Sequence, residues 1–257
     1  MRRFLIAMLA LSAFVTLAEV KVETIVYKQG DTECEGYFAY DDAVAGPRPG
    51  VLVIHDWMGN GEFSKQRVVE LAQLGYAAFA ADIYGKGVRP KDSGEAAQQA
   101  GHYKKDRALL RARALAALEE LKKQKVVDPK KLAAMGYCFG GTTALEVARS
   151  GADVLGVVSF HGGLSTPAPE DAKQIKGKVL ALHGADDPFV KPDEVAAFNK
   201  EMADAKVDMT FMAFPNAVHG FTNPAAGSDN SKGAAYNENA NKESWAAMKK
   251  LFAEIFK

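Results

Sequence analysis

The chain has 257 residues, of which 48% are hydrophobic and 25% are charged, a composition typical of a globular protein with one sizeable core. Basic and acidic side chains are equal in number, 32 of each, so the chain carries no net field that would attract nucleic acid or an anionic membrane surface. Neither nucleic acid nor a membrane is therefore expected as a partner of the mature protein.

The first 18 residues have the pattern of a secretory signal peptide. Two arginines precede an apolar stretch, and the small residues Thr16 and Ala18 occupy plausible −3 and −1 cleavage positions. A retained membrane anchor is the alternative, but the apolar stretch is shorter than the ~20 residues that a membrane-spanning helix needs. We therefore expect residues 1–18 to be removed on export, and residues 19–257 to form a single domain that is periplasmic or secreted.

After this segment, short apolar strands alternate with helices. The segments 22–27 and 34–40 indicate a β-hairpin, and the continuous apolar run 51–55 is typical of a strand buried on both faces. The segment 85–94 is predicted to be a loop. Helices are predicted at 62–74, 105–125, from about 140, 192–205 and 236–256, and further strands at 76–82, 132–137, 154–160, 178–183 and 208–214. This alternation predicts an α/β fold with a mostly parallel, doubly wound sheet and helices on both faces.

The segment GYCFGG (136–141) lies between an apolar strand and a helix and has the G-x-nucleophile-x-G form of a nucleophile elbow, with cysteine in place of serine. Glycines let the strand and the helix pass closely, and the N terminus of the helix favours the thiolate of Cys138. A packing turn or a phosphate-binding loop is the alternative for so short a pattern. Cys138 is the candidate nucleophile.

Candidate partners for Cys138 follow it in the order that a triad of this fold requires, which is nucleophile, acid and histidine. Asp187 and His219 each follow a predicted strand, so all three residues are expected at the edge where the carboxyl ends of parallel strands meet. Asp186 competes for the acid role, and the H-G-x-x-D spacing from His183 selects Asp187. The histidines that precede Asp187 are attributed to packing or capping: His55, His102, His161 and His183.

An acyl-transfer enzyme also needs N–H donors for the oxyanion that develops during reaction. Backbone N–H groups of Phe139, directly after the nucleophile, and of Trp57, in the loop after the strand 51–55, are predicted to be these donors. Asp56 in that loop either influences the nearby thiol or caps the loop. The chain has no H-E-x-x-H, paired C-x-x-C or G-x-G-x-x-G motif, so neither a metal site nor dinucleotide binding is predicted.

The chain has two cysteines, Cys34 and Cys138, which could form a disulfide in an oxidising compartment. We expect both to be free, because Cys138 is assigned as the nucleophile and Cys34 lies in an early strand far away in sequence. A thiol redox role is an alternative, since an activated cysteine is exposed to sulfenic acid formation. The lack of a C-x-x-C motif or a resolving cysteine counts against it.

Six blocks of this sequence resemble the dienelactone hydrolase family over about residues 22–256. The blocks are IHDWMG (54–59), LGYAAFAADIYG (74–85), GYCFGG (136–141), HGADDPFV (183–190), HGFTNP (219–224) and AAYNENANKESW (234–245). The resemblance implies an α/β-hydrolase fold, a Cys-Asp-His triad, no cofactor, and hydrolysis of lactones or esters through an acyl-thioester. It also implies a first-loop carboxylate that interacts with the resting thiol, and Asp56 occupies that position.

Two positions depart from this family. Its type enzyme has glutamate where this chain has the shorter Asp56, and an arginine shortly after the catalytic histidine, where this chain has Thr222 and Asn223. Arg89, in the basic loop 85–94, is the candidate replacement cation for substrate binding, with a solvated loop as the alternative.

The sequence therefore predicts a carboxylic ester hydrolase that acts on a small ester or lactone. A carboxylesterase of broad specificity on the same fold is the alternative, and only substrate profiling separates the two. A non-catalytic binding protein that retains the fold is a further alternative, which the intact triad disfavours.

Overall fold

A computed structural model describes residues 20–257 of the chain. Its strands are β1 (Val20–Gln29), β2 (Thr32–Asp41), β3 (Arg48–Ile54), β4 (Ala77–Ala81), β5 (Val127–Tyr137), β6 (Gly156–Phe160), β7 (Lys178–Gly184) and β8 (Met209–Phe214). Its α-helices are α1 (Glu62–Gln73), α2 (Ser93–Lys105), α3 (Arg107–Lys122), α4 (Phe139–Arg149), α5 (Pro192–Asp204) and α6 (Glu238–Ile255). Short 3-10 helices lie at Pro169–Gln174, Pro224–Ala226 and Asn230–Lys232.

The predicted signal peptide, residues 1–18, lies outside the described residues. It and the predicted export stay predictions, which sequencing of the mature N terminus, expected to begin at Glu19, tests. Within residues 20–257, no helix is long and apolar enough to cross a membrane.

The strands of the described residues form one eight-stranded sheet in the order β1-β2-β4-β3-β5-β6-β7-β8. The β1–β2 hairpin is antiparallel and joins β4 in antiparallel pairing, whereas all neighbours from β4 to β8 are parallel. The predicted hairpin and the predicted mostly parallel sheet are confirmed. Because β3 to β8 run in the same direction, the loops that follow them lie at one edge of the sheet.

Helices cover both faces of this sheet, because its central strands alternate between two apolar clusters. In β3, Leu52 and Ile54 face the cluster that α2, α3, α4 and α5 cover, whereas Val51 and Val53 face the cluster that α1 and α6 cover. All four side chains are fully buried. Each contributes about 1.5–3 kcal/mol relative to an exposed position. Burial on both faces explains why this strand is a continuous apolar run.

Helix α2 is an element that the sequence pattern did not predict. Asp92 caps it by accepting a hydrogen bond from the N–H of Glu95 at 2.9 Å. Its buried residues Ala96, Ala100 and Tyr103 follow the i, i+4, i+7 spacing of a helix. Two glycines within the segment, residues that disfavour a helix interior, hid this pattern.

Candidate active site

Cys138 occupies the sharp turn between β5 and α4. Its φ of 55° and ψ of −114° lie in a region that residues with a side chain rarely adopt. A Cβ at Gly136 would lie 2.1 Å from the carbonyl oxygen of Gly140, and a Cβ at Gly140 would lie 2.1 Å from that of Ile54. The close approach expected at these glycines is therefore confirmed. The turn leaves Cys138 half-buried at the wall of a cavity.

The structure brings Cys138, His219 and Asp187 together in one line of contacts. Nε2 of His219 lies 2.9 Å from Sγ of Cys138, and its Nδ1 lies 2.8 Å from Oδ2 of Asp187. Asp187 is buried, and its Oδ1 accepts a hydrogen bond from the N–H of Phe189 at 2.9 Å. Because a carboxylate only accepts hydrogen bonds, Nδ1 of His219 carries a proton and Nε2 is directed at the sulfur. Asp186, the alternative acid, is exposed.

The charge state of His219 follows from these contacts. Burial lowers its pKa, but the charge of the Cys138 sulfur and the hydrogen bond that His219 donates to Asp187 oppose burial and raise the pKa to about 10. The imidazole is thus held protonated at neutral pH when it faces a thiolate. Such an ion pair keeps a cysteine nucleophilic without a separate deprotonation step.

His161 lies beside this line, with its ring centroid 5.2 Å from that of His219. Its Nδ1 accepts a hydrogen bond from the N–H of Cys138 at 3.2 Å, and its Nε2 lies 2.8 Å from Oγ1 of Thr222. Burial, and then the charge of His219, lower the pKa of His161 well below its ordinary value. His161 therefore supports the backbone of the elbow as a neutral ring. The sequence analysis attributed this histidine only to packing or capping.

The two predicted oxyanion donors belong to the start of α4 and to the loop after β3. Phe139 is the first residue of α4, so its N–H has no acceptor within the helix. Trp57 lines the same cavity as Cys138, and its carbonyl accepts a hydrogen bond from the hydroxyl of Tyr84 at 3.0 Å. The assignment of both N–H groups as oxyanion donors stays a prediction.

Asp56 lines the cavity together with Cys138. Its Oδ1 accepts a hydrogen bond from the N–H of Met58 at 2.8 Å, which caps the loop as one of the two alternatives expected. Burial raises the pKa of Asp56, and the hydrogen bond from Met58 and the charge of His219 oppose that shift. Asp56 is therefore electrostatically coupled to His219 as well as being a loop cap.

Replacing Asp56 with asparagine should speed the alkylation of Cys138 at neutral pH, because it removes a negative charge that competes with the thiolate. Asparagine keeps an acceptor for the N–H of Met58, so the loop is retained. The measurement is the rate constant for iodoacetamide from about pH 5 to about pH 9, a range that spans ordinary carboxyl and thiol titrations. Asp186→Asn, which removes an exposed carboxylate, is the matched control. Superimposable profiles for wild type and Asp56→Asn would show that Asp56 only caps the loop.

Cys138 and His219 line a cavity of about 860 Å³ whose walls are mainly apolar. Its aromatic lining residues are Trp57, Phe63, Tyr137, Phe189 and the two histidines, His161 and His219. Among the described residues, the lysine and arginine side chains that line it are Lys104 and Lys232, and both are exposed. Apart from the imidazolium of His219, which faces the sulfur of Cys138, the cavity therefore has positive charge only at solvent-exposed positions, and its interior offers apolar contact.

Arg89, the predicted substrate-binding cation, does not line this cavity, and that prediction is corrected. Its guanidinium donates a hydrogen bond to the carbonyl of Val88 at 2.8 Å and lies 3.6 Å from Oδ1 of the buried Asp82. These contacts hold the side chain against its own loop. The sequence could not indicate that the buried carboxylate of Asp82, rather than a substrate, is the partner of this guanidinium.

Both cysteines are free, as expected, with Cys34 buried in β2 and Cys138 at the cavity. In the part of the chain that the structure describes, no cluster of three or more His, Cys, Asp or Glu side chains could hold a metal ion.

Comparison with known proteins agrees with this fold. The dienelactone hydrolase family matches residues 34–256. A solved structure named m3DLH is 42% identical with a TM-score of 0.89, and the match covers 93% of this chain and 99% of that one. A dienelactone hydrolase-like promiscuous phosphotriesterase from metagenomic libraries is also 42% identical, with a TM-score of 0.88 and the same shares of both chains.

A curated relative from Saccharolobus solfataricus, whose name proposes carboxymethylenebutenolidase activity, is 26% identical over 248 residues. The match covers 82% of this chain and 91% of that protein. Together with the family match over most of the chain, these likenesses show that the protein belongs to the dienelactone hydrolase family of the α/β-hydrolase superfamily and is a carboxylic ester hydrolase.

Proposed function

We propose that this protein hydrolyses small esters or lactones by covalent catalysis, with Cys138 as nucleophile, His219 as acid and base, and Asp187 as the residue that orients His219. The observation that carries the proposal is the pair of contacts on opposite sides of one imidazole, 2.9 Å to the sulfur and 2.8 Å to a buried carboxylate. A nucleophile within hydrogen-bond reach of a base that a third group orients is the arrangement of a hydrolytic triad.

In the first half of the reaction, the thiolate of Cys138 attacks the acyl carbon, and the carbonyl oxygen becomes an oxyanion. The N–H groups of Phe139 and Trp57 stabilise this charge. As the intermediate collapses, the C–O bond breaks and Nε2 of His219 gives its proton to the leaving alcohol. A thioester on Cys138 and a neutral His219 remain.

In the second half, His219 takes a proton from water as the water oxygen attacks the thioester carbon. Collapse of this second intermediate expels the thiolate of Cys138 and releases the carboxylic acid. The protonated His219 and the thiolate are thereby restored. Asp187 keeps the proton of Nδ1 in place and stabilises the imidazolium in both halves.

The cavity favours a neutral substrate with an apolar acyl group. Its interior presents the rings of the buried Tyr137 and the half-buried Phe63, whereas Lys104 and Lys232 are exposed. A carboxylate on the substrate would lose hydration in this interior without gaining a buried cation, because the charge of His219 is already paired with the thiolate of Cys138. We therefore expect neutral esters and lactones to be better substrates than those that carry a carboxylate.

A panel of p-nitrophenyl esters and lactones, in neutral and carboxylate-bearing pairs of matched length, tests both statements on wild type and Cys138→Ala. We expect kcat/KM to be about tenfold or more higher for the neutral member, which corresponds to about 1.4 kcal/mol or more of transition-state stabilisation. A preference for the charged member would show that a lysine reaches the substrate. A nearly uniform profile across acyl groups would instead favour the carboxylesterase of broad specificity, and no hydrolysis by wild type would favour a binding protein.

A neutral phosphotriester is a second candidate substrate, because a 42% identical relative is named for promiscuous phosphotriesterase activity. Adding paraoxon to the panel tests it. Release of 4-nitrophenol by wild type but not by Cys138→Ala would support this activity at the same site. Release at the uncatalysed rate would remove the candidate without affecting ester hydrolysis.

A further inference from the structure

The peptide groups on both sides of Trp57 are each hydrogen-bonded by a side chain that does not line the cavity. Nδ1 of His55 lies 2.6 Å from the carbonyl oxygen of Asp56, and the hydroxyl of Tyr84 donates to the carbonyl oxygen of Trp57 at 3.0 Å. The first of these carbonyls shares its peptide group with the N–H of Trp57. The peptide is trans, so its C=O and N–H point in opposite directions. A fixed carbonyl of Asp56 therefore sets the direction of the Trp57 N–H.

The hydrogen-bond roles of these two side chains follow from their surroundings. Nε2 of His55 accepts a hydrogen bond from the N–H of Ile83 at 3.1 Å, so in the neutral ring Nδ1 is the nitrogen that donates to Asp56. Complete burial lowers the pKa of His55 to about 4, which keeps the ring neutral at neutral pH. Burial, with the charges of Asp56 and Cys138, raises the pKa of Tyr84, so its hydroxyl remains a donor.

The same two side chains contact the other predicted oxyanion donor. The ring of His55 stacks on Phe139 with centroids 5.7 Å apart, and the edge contact of His55 with Tyr84 has centroids 4.7 Å apart. Tyr84 also packs on Phe139 at 5.4 Å, and the hydroxyl of Tyr103 donates to the carbonyl of Tyr84 at 3.1 Å. All four side chains are buried. His55, Tyr84 and Tyr103 thus form one packed unit that contacts both predicted oxyanion donors, Trp57 and Phe139.

We propose that His55 and Tyr84 are positioning residues that fix and polarise the peptide groups around Trp57, so that its N–H is aimed at the developing oxyanion. The proposal rests on the proposed function, in which that N–H stabilises the tetrahedral intermediates. A hydrogen bond accepted by the carbonyl also strengthens the N–H of the same peptide as a donor. The contribution of His55 and Tyr84 therefore increases as negative charge develops in the transition state, and it should appear in kcat.

Three variants separate the hydrogen bond that His55 donates from the one that Tyr84 donates. Tyr84→Phe removes the donor to Trp57 and keeps the ring. His55→Gln keeps an acceptor within reach of the Ile83 N–H and removes the donor to Asp56, whereas His55→Asn places an amide donor where Nδ1 lies. Tyr40→Phe is the matched control, at a tyrosine of β2 whose hydroxyl donates to Glu23 of β1.

Tyr84→Phe and His55→Gln should each lower kcat by about tenfold to a hundredfold, which is less than the ~10²–10³-fold loss when an oxyanion donor is deleted. KM should change by less than about threefold, because the interaction acts on the transition state. His55→Asn should retain more activity than His55→Gln. The rate of Cys138 alkylation by iodoacetamide, which develops no oxyanion, should stay within about twofold of wild type in all three variants.

A third measurement keeps the proposal testable apart from turnover. A trifluoromethyl ketone forms an adduct with Cys138 that carries an oxyanion, and its affinity should fall in the same order as kcat. Values of kcat and ketone affinity within twofold of wild type in both Tyr84→Phe and His55→Gln would overturn the proposal. So would a parallel loss of hydrolysis and alkylation, because it would show that the packed unit supports the whole site. Failure of the proposed function would be distinct, since wild type itself would then hydrolyse no ester and form no ketone adduct, whereas failure of this proposal leaves both in wild type and in the variants.

Discussion

Replacing Asp187 with asparagine should lower kcat by up to about 10⁴-fold, the loss known for the orienting acid of a serine triad. Oδ2 of Asp187 lies 2.8 Å from Nδ1 of His219 and holds the proton there. An asparagine amide can donate to that nitrogen, which places the proton on Nε2 in the neutral ring and removes the base that activates water in the second half of the reaction. The loss of the carboxylate should also lower the pKa of His219 from about 10.

Asp186→Asn is the matched control, because it makes the same chemical change one residue away on an exposed side chain. We expect its kcat to stay within about threefold of wild type, as for most exposed substitutions outside a site. Both variants are compared with wild type in kcat on a p-nitrophenyl ester and in thermal unfolding, so that loss of fold is separated from loss of catalysis. If Asp186→Asn lost more activity than Asp187→Asn, the acid would be wrongly assigned.

The sequence predicted the sheet and the convergence of the triad because both depend on chain order. Parallel strands joined by helices bring the residues after each strand to one edge, and this alone places Cys138, Asp187 and His219 near one another. The glycines of the elbow were equally informative, since a Cβ at Gly136 or Gly140 would meet backbone at 2.1 Å. These features need no knowledge of side-chain orientation.

The features that the sequence missed depend on contacts between distant residues. The direction of Arg89 depends on the buried Asp82. The role of His161 depends on Thr222, which is 61 residues away, and that of His55 depends on Ile83, which is 28 residues away. A histidine at the end of a buried strand looks the same in sequence whether it packs or orients a peptide, so the tertiary structure was needed to distinguish these roles.

Replacing Cys138 with alanine should lower kcat by about 10⁶-fold, the size of the loss when the nucleophile of a hydrolytic triad is removed. The expected effect is this large because the attacking atom itself is deleted, while the cavity and the oxyanion donors remain. Cys34→Ala removes the other thiol of the chain, which is buried in β2, and is expected to leave kcat within about twofold of wild type. Equal activity of Cys138→Ala and wild type would exclude cysteine catalysis.

The acyl-thioester itself can be located by quenching wild type during turnover of a slowly hydrolysed p-nitrophenyl ester and mapping the acyl group by peptide mass spectrometry. The proposed mechanism predicts one acyl group on the peptide that contains Cys138, released by hydroxylamine and absent from Cys138→Ala. An acyl group on any other residue, or full turnover after stoichiometric alkylation of Cys138, would contradict it.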